Sequence, residues 1–235
     1  MKNWLIILLT SLAYNSFAAT HENSSLERLR FAEEHFASPS DSLHNEEAYI
    51  AALLDVINDS TLDKSEKVRP RFLLESAIKN RIGTLAADLE LTTPDGNTSH
   101  LHELDSVLTL VFFNSPDCGS CQINKERLDT IQVINDYVNA GLLQIVAIYP
   151  YDDRELWCNA HYPSNMLNFW NEDQAIYQDD VYELPCMPVY YLLNRDKRVL
   201  IKNEVSLNRL MRALERILLS SDRSTEGLIR LLYNQ

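Results

Sequence analysis

Two cysteines separated by two residues, Cys118 and Cys121, stand inside the stretch "FFNSPDCGSCQINKERL", residues 112–128. A continuous apolar run, "VLTLVFF" (107–113), precedes them, and a helix-like pattern follows. At such a junction the first sulfur falls at a helix N-terminus, against unpaired N–H groups and the positive end of the dipole. That setting favours the thiolate, the reactive form of cysteine. The second sulfur, one turn later, is placed to attack a mixed disulfide formed on the first. Cys118 is therefore the candidate nucleophile and Cys121 the resolving thiol. Gly119 and Ser120 leave the loop open to a protein substrate. Asp117 works the other way, since an adjacent carboxylate disfavours a thiolate, so the nucleophile is expected to be less acidic than the dipole alone would make it.

Two other chemistries compete for the pair. A zinc site needs four ligands, and Cys158, Cys186 or His161 would have to complete it. The chain has no second Cys-x-x-Cys and no His-x-x-x-His, so no metal is assigned. A purely structural disulfide at this spacing closes a very small loop and stabilises little through chain entropy.

The elements that must position the sulfurs follow from pattern. "SSLERLRFAEEHF", with Leu26, Leu29 and Phe36 among charges, predicts a helix capped by Ser24 or Ser25. "NEEAYIAALLDVIND" carries Tyr49, Leu53, Val56 and Ile57 at helical spacing. A third helix is expected in "TLDKSEKVRPRFLLESAIKNRIG", with Pro70 near its first turn and Gly83 beyond its end. "DLELTTPDGNTSHLHEL" predicts a β-hairpin turning at Pro94-Asp95-Gly96. The run at 107–113 is apolar on both faces, as a fully buried strand requires. After Cys121, Ile123, Leu128, Ile131, Ile134, Tyr137 and Val138 predict one amphipathic helix ending near Gly141. "LLQIVAIYP" (142–150) reads as a second buried strand, and "DDRELWCNAHY" as a short helix capped by Asp152 or Asp153. "PVYYLLNRDKRVLIKN" gives two strands with a tight turn at 194–197, and "SLNRLMRALERILLS" a closing helix. The order is β-hairpin, β-α-β-α, then β-β-α: an α/β mixed sheet flanked by helices on both faces, after a small N-terminal helical region. "STEGLIRLLYNQ" reads as a short amphipathic helical tail.

The first residues, "MKNWLIILLTSLAYNSFAAT", pair Lys2 with an apolar run and with small residues at Ser16 and Ala18, the pattern of a secretory signal peptide cleaved after Ala18. The mature chain is then expected in the periplasm, with no membrane insertion, in a compartment that permits disulfides. Acidic residues outnumber basic ones, 34 to 21, which argues against nucleic acid as a partner. Only 5 glycines occur, against a Gly-rich phosphate loop. His100, His102 and His161 read as isolated surface histidines, and Trp157 and Trp170 as packing.

The order of elements, the "CGSC" motif, and "CMPVYYLL" with Pro188 opening a strand resemble a thioredoxin-like fold, over residues 83–219. The domain is similar to the periplasmic branch that holds TlpA- and ResA-like thiol–disulfide oxidoreductases and AhpC/TSA-type redoxins. "RPRFLLESAIKNRIGTLAADLEL" and "NEEAYIAALL" resemble an uncharacterised domain found before thioredoxin-like domains in exported bacterial proteins. The resemblance implies that Cys118 and Cys121 are the active pair and that Pro188 is the facing cis-proline. Such a bond costs little at proline and brings the Met187 backbone alongside the sulfurs, an edge that in relatives binds the substrate peptide through main-chain hydrogen bonds. It implies no cofactor, and as partners protein thiol or disulfide substrates and an electron donor that the residues do not identify.

The sequence departs from that pattern at several positions. Phe112 stands where many thioredoxins bury an acid, Asn114 and Asp117 where they carry tryptophans, and Ser120 in place of a proline. Val111 stands where the peroxiredoxin pattern wants a proline, although Ser115 supplies a hydroxyl, so peroxidase activity is not expected. Cys186, two residues before Pro188, is expected near the redox pair, and Cys158 on the same rim. A Cys158–Cys186 disulfide and two independent thiols are both open. The expected organisation is a signal peptide (1–18), a helical domain (19–82), a thioredoxin-like domain (83–219) and a tail (220–235). The expected activity is reduction of protein disulfides, with a redox-inactive binding module or a metallochaperone as alternatives.

Overall fold

The computed structural model describes residues 24–37 and 43–222. The expected signal peptide and the tail beyond Asp222 lie outside the described residues. The chain divides into two compact units, one ending at Lys79 and the other beginning at Asn80.

In the first unit, α1 (Ser25–His35), α2 (Glu46–Asn58) and α3 (Val68–Ile78) form the expected helices. Ser24 caps α1 in a reciprocal box with Glu27, and Asn45 caps α2 through Ala48 N–H. Pro70 lies in the first turn of α3, where its missing N–H leaves no helical bond unmade. Leu29, Ala32, Ile50, Leu53, Val56 and Ala77 make a small core. Ser25 Oγ donates to Asp59 Oδ2 at 2.6 Å, tying the start of α1 to the end of α2.

The second unit is built on a seven-stranded mixed sheet. In chain order the strands are β1 (Glu90–Thr92), β2 (Thr98–His100), β3 (Leu108–Phe113), β4 (Leu143–Tyr149), β5 (Met166–Trp170), β6 (Val189–Asn194) and β7 (Val199–Glu204). Across the sheet they run β2-β1-β5-β4-β3-β6-β7. The central β3 pairs in parallel with β4, Leu108 opposite Leu143, and antiparallel with β6, Phe113 opposite Val189. All six β3 residues are buried, as a strand covered on both faces must be. Leu108, Leu110 and Phe112 face one core with Tyr190 and Leu192, while Val111 and Phe113 face the other with Tyr191 and Leu193. The first core is closed by α4 (Gly119–Thr130), α5 (Gln132–Asn139) and α8 (Leu207–Asp222), through Leu128, Ile134, Leu207, Leu210 and Leu214. The second holds Ala86, Leu89 and Leu101, together with Ile176 of the short α7 (Ala175–Gln178). The hairpin turns where expected, with Gly96 at φ +86.

The short α7 lies outside the sequence expectation, and two further elements differ from it nearer the site. The helix after Cys121 is two helices, because Ile131 is extended (φ −72, ψ 110) between α4 and α5. The Ile131 N–H still reaches Arg127 O at 3.0 Å, and side chains take the next two carbonyls, which the break frees: Asn165 Nδ2 donates to Leu128 O at 3.5 Å and Asn135 Nδ2 to Asp129 O at 2.6 Å. The seventh strand, β5, was not expected. It pairs in parallel with β4 over residues 166–170 and bridges to β1 through Thr92 and Trp170. Its asparagine Asn168 accepts a 2.7 Å bond from Trp157 Nε1, on α6 (Arg154–Cys158), which Asp153 caps.

Candidate active site

The carboxyl end of β3 runs through Asn114–Asp117 into α4, and Cys118 is the N-cap of that helix. Its Sγ accepts the Cys121 N–H at 3.2 Å, so a side-chain sulfur fills the place a serine or aspartate oxygen takes in an ordinary cap. From the opposite side the Cys118 thiol faces the Met187 carbonyl, 3.8 Å away. The Met187–Pro188 bond is cis, as the sequence reading expects. Cys118 is partly exposed and Cys121 only 2 % exposed, so Cys118 is the more accessible of the two sulfurs. Gly119 has no neighbour within 4 Å of where a Cβ would stand, so the rim beside the sulfur is open on that side.

Burial pushes the Cys121 thiol up to about 12, from an ordinary 9.0; the hydrogen bond with Cys118 and the charges of Cys118 and Asp117 add to it, and the Ser115 backbone opposes it. Its surroundings explain the burial. Phe112, where a thioredoxin would hold an acid, stacks on Tyr190 with centroids 5.3 Å apart and planes 12° off parallel. The Tyr190 hydroxyl is buried without a hydrogen-bond partner among the described residues. Burial and the charge of Cys121 hold that phenol above its ordinary value.

Three further residues stand at the site: Asn114, which the sequence marks only as a departure, and Lys125 and Tyr162, which carry no signal there. Asn114, 2 % exposed, donates to Phe112 O at 3.1 Å and Ile148 O at 3.4 Å, and its Oδ1 accepts Tyr162 OH at 2.8 Å. A polar residue in a tryptophan's place thus links β3, β4 and the loop before β5. Lys125, one turn past Cys121, sits with Nζ 4.7 Å from the Tyr162 ring centre and donates to His161 O at 2.6 Å. Burial lowers its ammonium below the ordinary value, partly offset by Glu126 and Cys121. Tyr162 itself is held neutral by burial and by Cys121.

Asp117 is exposed, and its carboxylate accepts a short hydrogen bond from the Ser115 hydroxyl. Cys158, at the end of α6, and Cys186, before Met187, are exposed thiols. His161 lies exposed in a loop, His100 bonds Asp88 Oδ2 at 3.0 Å, and His102 bonds Ala86 O at 2.8 Å. Trp157 and Trp170 pack on each other at 5.7 Å, as expected of packing residues. Among the described residues no three His, Cys, Asp or Glu side chains converge as a metal would need.

No family model and no curated protein matches the chain. Among solved structures, a thioredoxin-like protein from Bacteroides caccae aligns at 30% identity and TM-score 0.69, over 80% of this chain and 68% of its own. A conserved protein of unknown function from Bacteroides fragilis aligns at 31% identity and TM-score 0.55, over 57% of this chain and 98% of its own. The C-terminal domain of an uncharacterized protein, also from Bacteroides fragilis, aligns at 29% identity and TM-score 0.55, over 58% of this chain and 98% of its own. The first likeness is too long for the unit beginning at Asn80 to supply alone, so it takes in part of the helical unit as well. A cysteine-capped helix facing the Met187 carbonyl and Pro188, a β3-centred mixed sheet, and a relative of this kind agree on one assignment: the chain belongs to the thioredoxin-like family.

Proposed function

We propose that the chain is an exported, periplasmic thiol–disulfide oxidoreductase that reduces protein disulfides through Cys118 and Cys121. The observation that carries this reading is the capped thiol: Cys118 Sγ held by the Cys121 N–H at 3.2 Å, open to solvent, with the buried second thiol one turn behind it. The Cys118 thiolate attacks one sulfur of a substrate disulfide. A Cys118–substrate disulfide forms and the other substrate cysteine leaves as a thiolate that takes a proton from water. Cys121, once deprotonated, attacks Cys118 Sγ; the Cys118–Cys121 disulfide forms and the second substrate thiolate leaves. Two electrons have then passed from the pair to the substrate, and an external dithiol donor must return them. In this reading the Met187 backbone and Pro188 hold the substrate chain beside the sulfur. None of the described helices is long and apolar enough to cross a membrane.

Insulin reduction with dithiothreitol as donor tests the proposal. The wild-type chain accelerates precipitation of the insulin B chain, and Cys118→Ser and Cys121→Ser each abolish the acceleration. A wild type no faster than donor alone would overturn the proposal and favour a binding module on a thioredoxin-like scaffold.

A further inference from the structure

Beside Cys118 lies a cavity of about 350 Å³, lined by Ser115, Asp117, Cys118, Tyr149, Tyr151 and Met187. Its volume is at the lower end of the roughly 300–1,000 Å³ usual for ligand sites, which suits a side chain or two rather than a large cofactor. Two walls are aromatic. Tyr149 and Tyr151 meet at 5.5 Å and 60°, and Tyr151 is fixed from behind by Tyr177, stacked at 5.4 Å. Asp117 brings a carboxylate to the lining, and the lining has no lysine or arginine to neutralise it. Asp152 and Asp153 follow Tyr151 directly and act on the same corner: burial, then the charges of Asp153 and Asp117, hold the Tyr149 hydroxyl up to about 12.

We infer that this cavity receives a cationic side chain, lysine or arginine, adjoining the cysteine of the substrate disulfide. The inference rests on the exchange chemistry proposed above. An ammonium or guanidinium gains from the negative faces of the tyrosine rings and from Asp117, while its methylene stem lies along Met187 and the rings. A glutamate at the same position meets the charge of Asp117 with nothing to offset it. A neutral apolar side chain fills the space but leaves the carboxylate's field unused. The cation has a second consequence. A positive group seated against Asp117 also lies close to Cys118, where its own charge favours the attacking thiolate. The overall charge of −13 works in the same direction, since it draws basic polypeptides to the surface.

The test uses three disulfide peptides identical except for Lys, Ala or Glu beside the cysteine, and a matching set with serine for cysteine. Binding of the serine set to the wild-type chain is measured by calorimetry, and reduction of the disulfide set with excess thiol. The Lys peptide is expected to bind and turn over about tenfold better than the Glu peptide at low salt, the gap narrowing as salt screens it. Asp117→Asn should pull the Lys-to-Glu ratio toward one, and Tyr151→Leu should reduce it. Equal binding of the Lys and Glu serine peptides would overturn the inference, whether or not any disulfide is reduced. Failure to reduce any disulfide peptide, with the Lys preference in binding intact, would overturn the catalytic reading instead and leave the cationic site standing.

Discussion

Resolution of the mixed disulfide by Cys121 should be strongly dependent on pH, and its size can be worked from the site. Cys121 lies at about 12 against an ordinary 9.0. At pH 7 about one thiol in 10⁵ is then ionised, where an ordinary one would give about one in 10². Higher basicity returns part of this roughly thousandfold loss, because thiolate nucleophilicity rises with a Brønsted slope of about 0.4–0.5, or roughly twentyfold over three units. The net expectation is resolution about fiftyfold slower at pH 7 than an unburied resolving thiol would give. Two of the raising influences, the hydrogen bond and the charge of Cys118, change once Cys118 is bonded to substrate, but burial is the largest and persists. Below its pKa, Cys121 therefore gains about tenfold in rate per pH unit. A small aromatic disulfide that releases a coloured thiolate at each step makes this visible by stopped flow. In a background with Cys158→Ser and Cys186→Ser, which removes the two other exposed thiols, the first phase reports attack by Cys118 and the second attack by Cys121, and Cys121→Ser keeps only the first. The second phase should climb from pH 6 to 9 without levelling. A plateau at or below pH 8 would refute the argument that burial governs Cys121.

Further outcomes follow from other parts of the structure. Cys121→Ser should accumulate substrate-linked adducts on non-reducing gels and Cys118→Ser should not, since Cys118 is the accessible sulfur; adducts from Cys118→Ser alone would reverse the roles. Asp59 is held down at about 2, from 3.8, chiefly by the Ser25 hydroxyl, so its contribution to folding is present above pH 4 and lost as pH falls toward 2. Denaturant midpoints of Ser25→Ala should accordingly lie below wild type at pH 5 and converge with it near pH 2; a constant gap would contradict the assignment. Cys158 and Cys186 are exposed thiols, so peptide mapping of the oxidised protein should find both alkylated at once. A Cys158–Cys186 cross-link would show that a second pair forms.

The sulfur pair and its frame were legible because their signals are local. The apolar run before Cys118 becomes a strand buried on both faces, and Cys118 becomes the cap of the helix after it. The hairpin is read from Gly96, whose positive φ the turn requires. By contrast, β5 is "MLNFW", with no β-branched residue and with Asn168 interrupting its apolar pattern; pairing with β4 and β1, not its own propensity, makes it a strand. The break at Ile131 carries no proline or glycine and is held by amide side chains, Asn165 on Leu128 O and Asn135 on Asp129 O. Around Cys121 the decisive neighbours, Tyr162 and Tyr190, come from segments 41 and 69 residues further along a chain with 11 tyrosines, and nothing in either stretch marks it as facing a thiol.

The reduction potential of the Cys118–Cys121 couple tests the central claim most directly. A dithiol is a strong oxidant when its reduced form is stabilised, and this site withholds that stabilisation: Cys121 is buried and driven toward its neutral form, and Asp117 puts a negative charge beside the pair. Equilibrating the protein with defined thiol–disulfide buffers, and reading the oxidised fraction by mass after alkylation, gives the value. A couple near that of thioredoxin, about −270 mV, is the result expected of a reductase. A couple near that of the strong periplasmic oxidants, about −120 mV, or a pair that does not titrate, would contradict it.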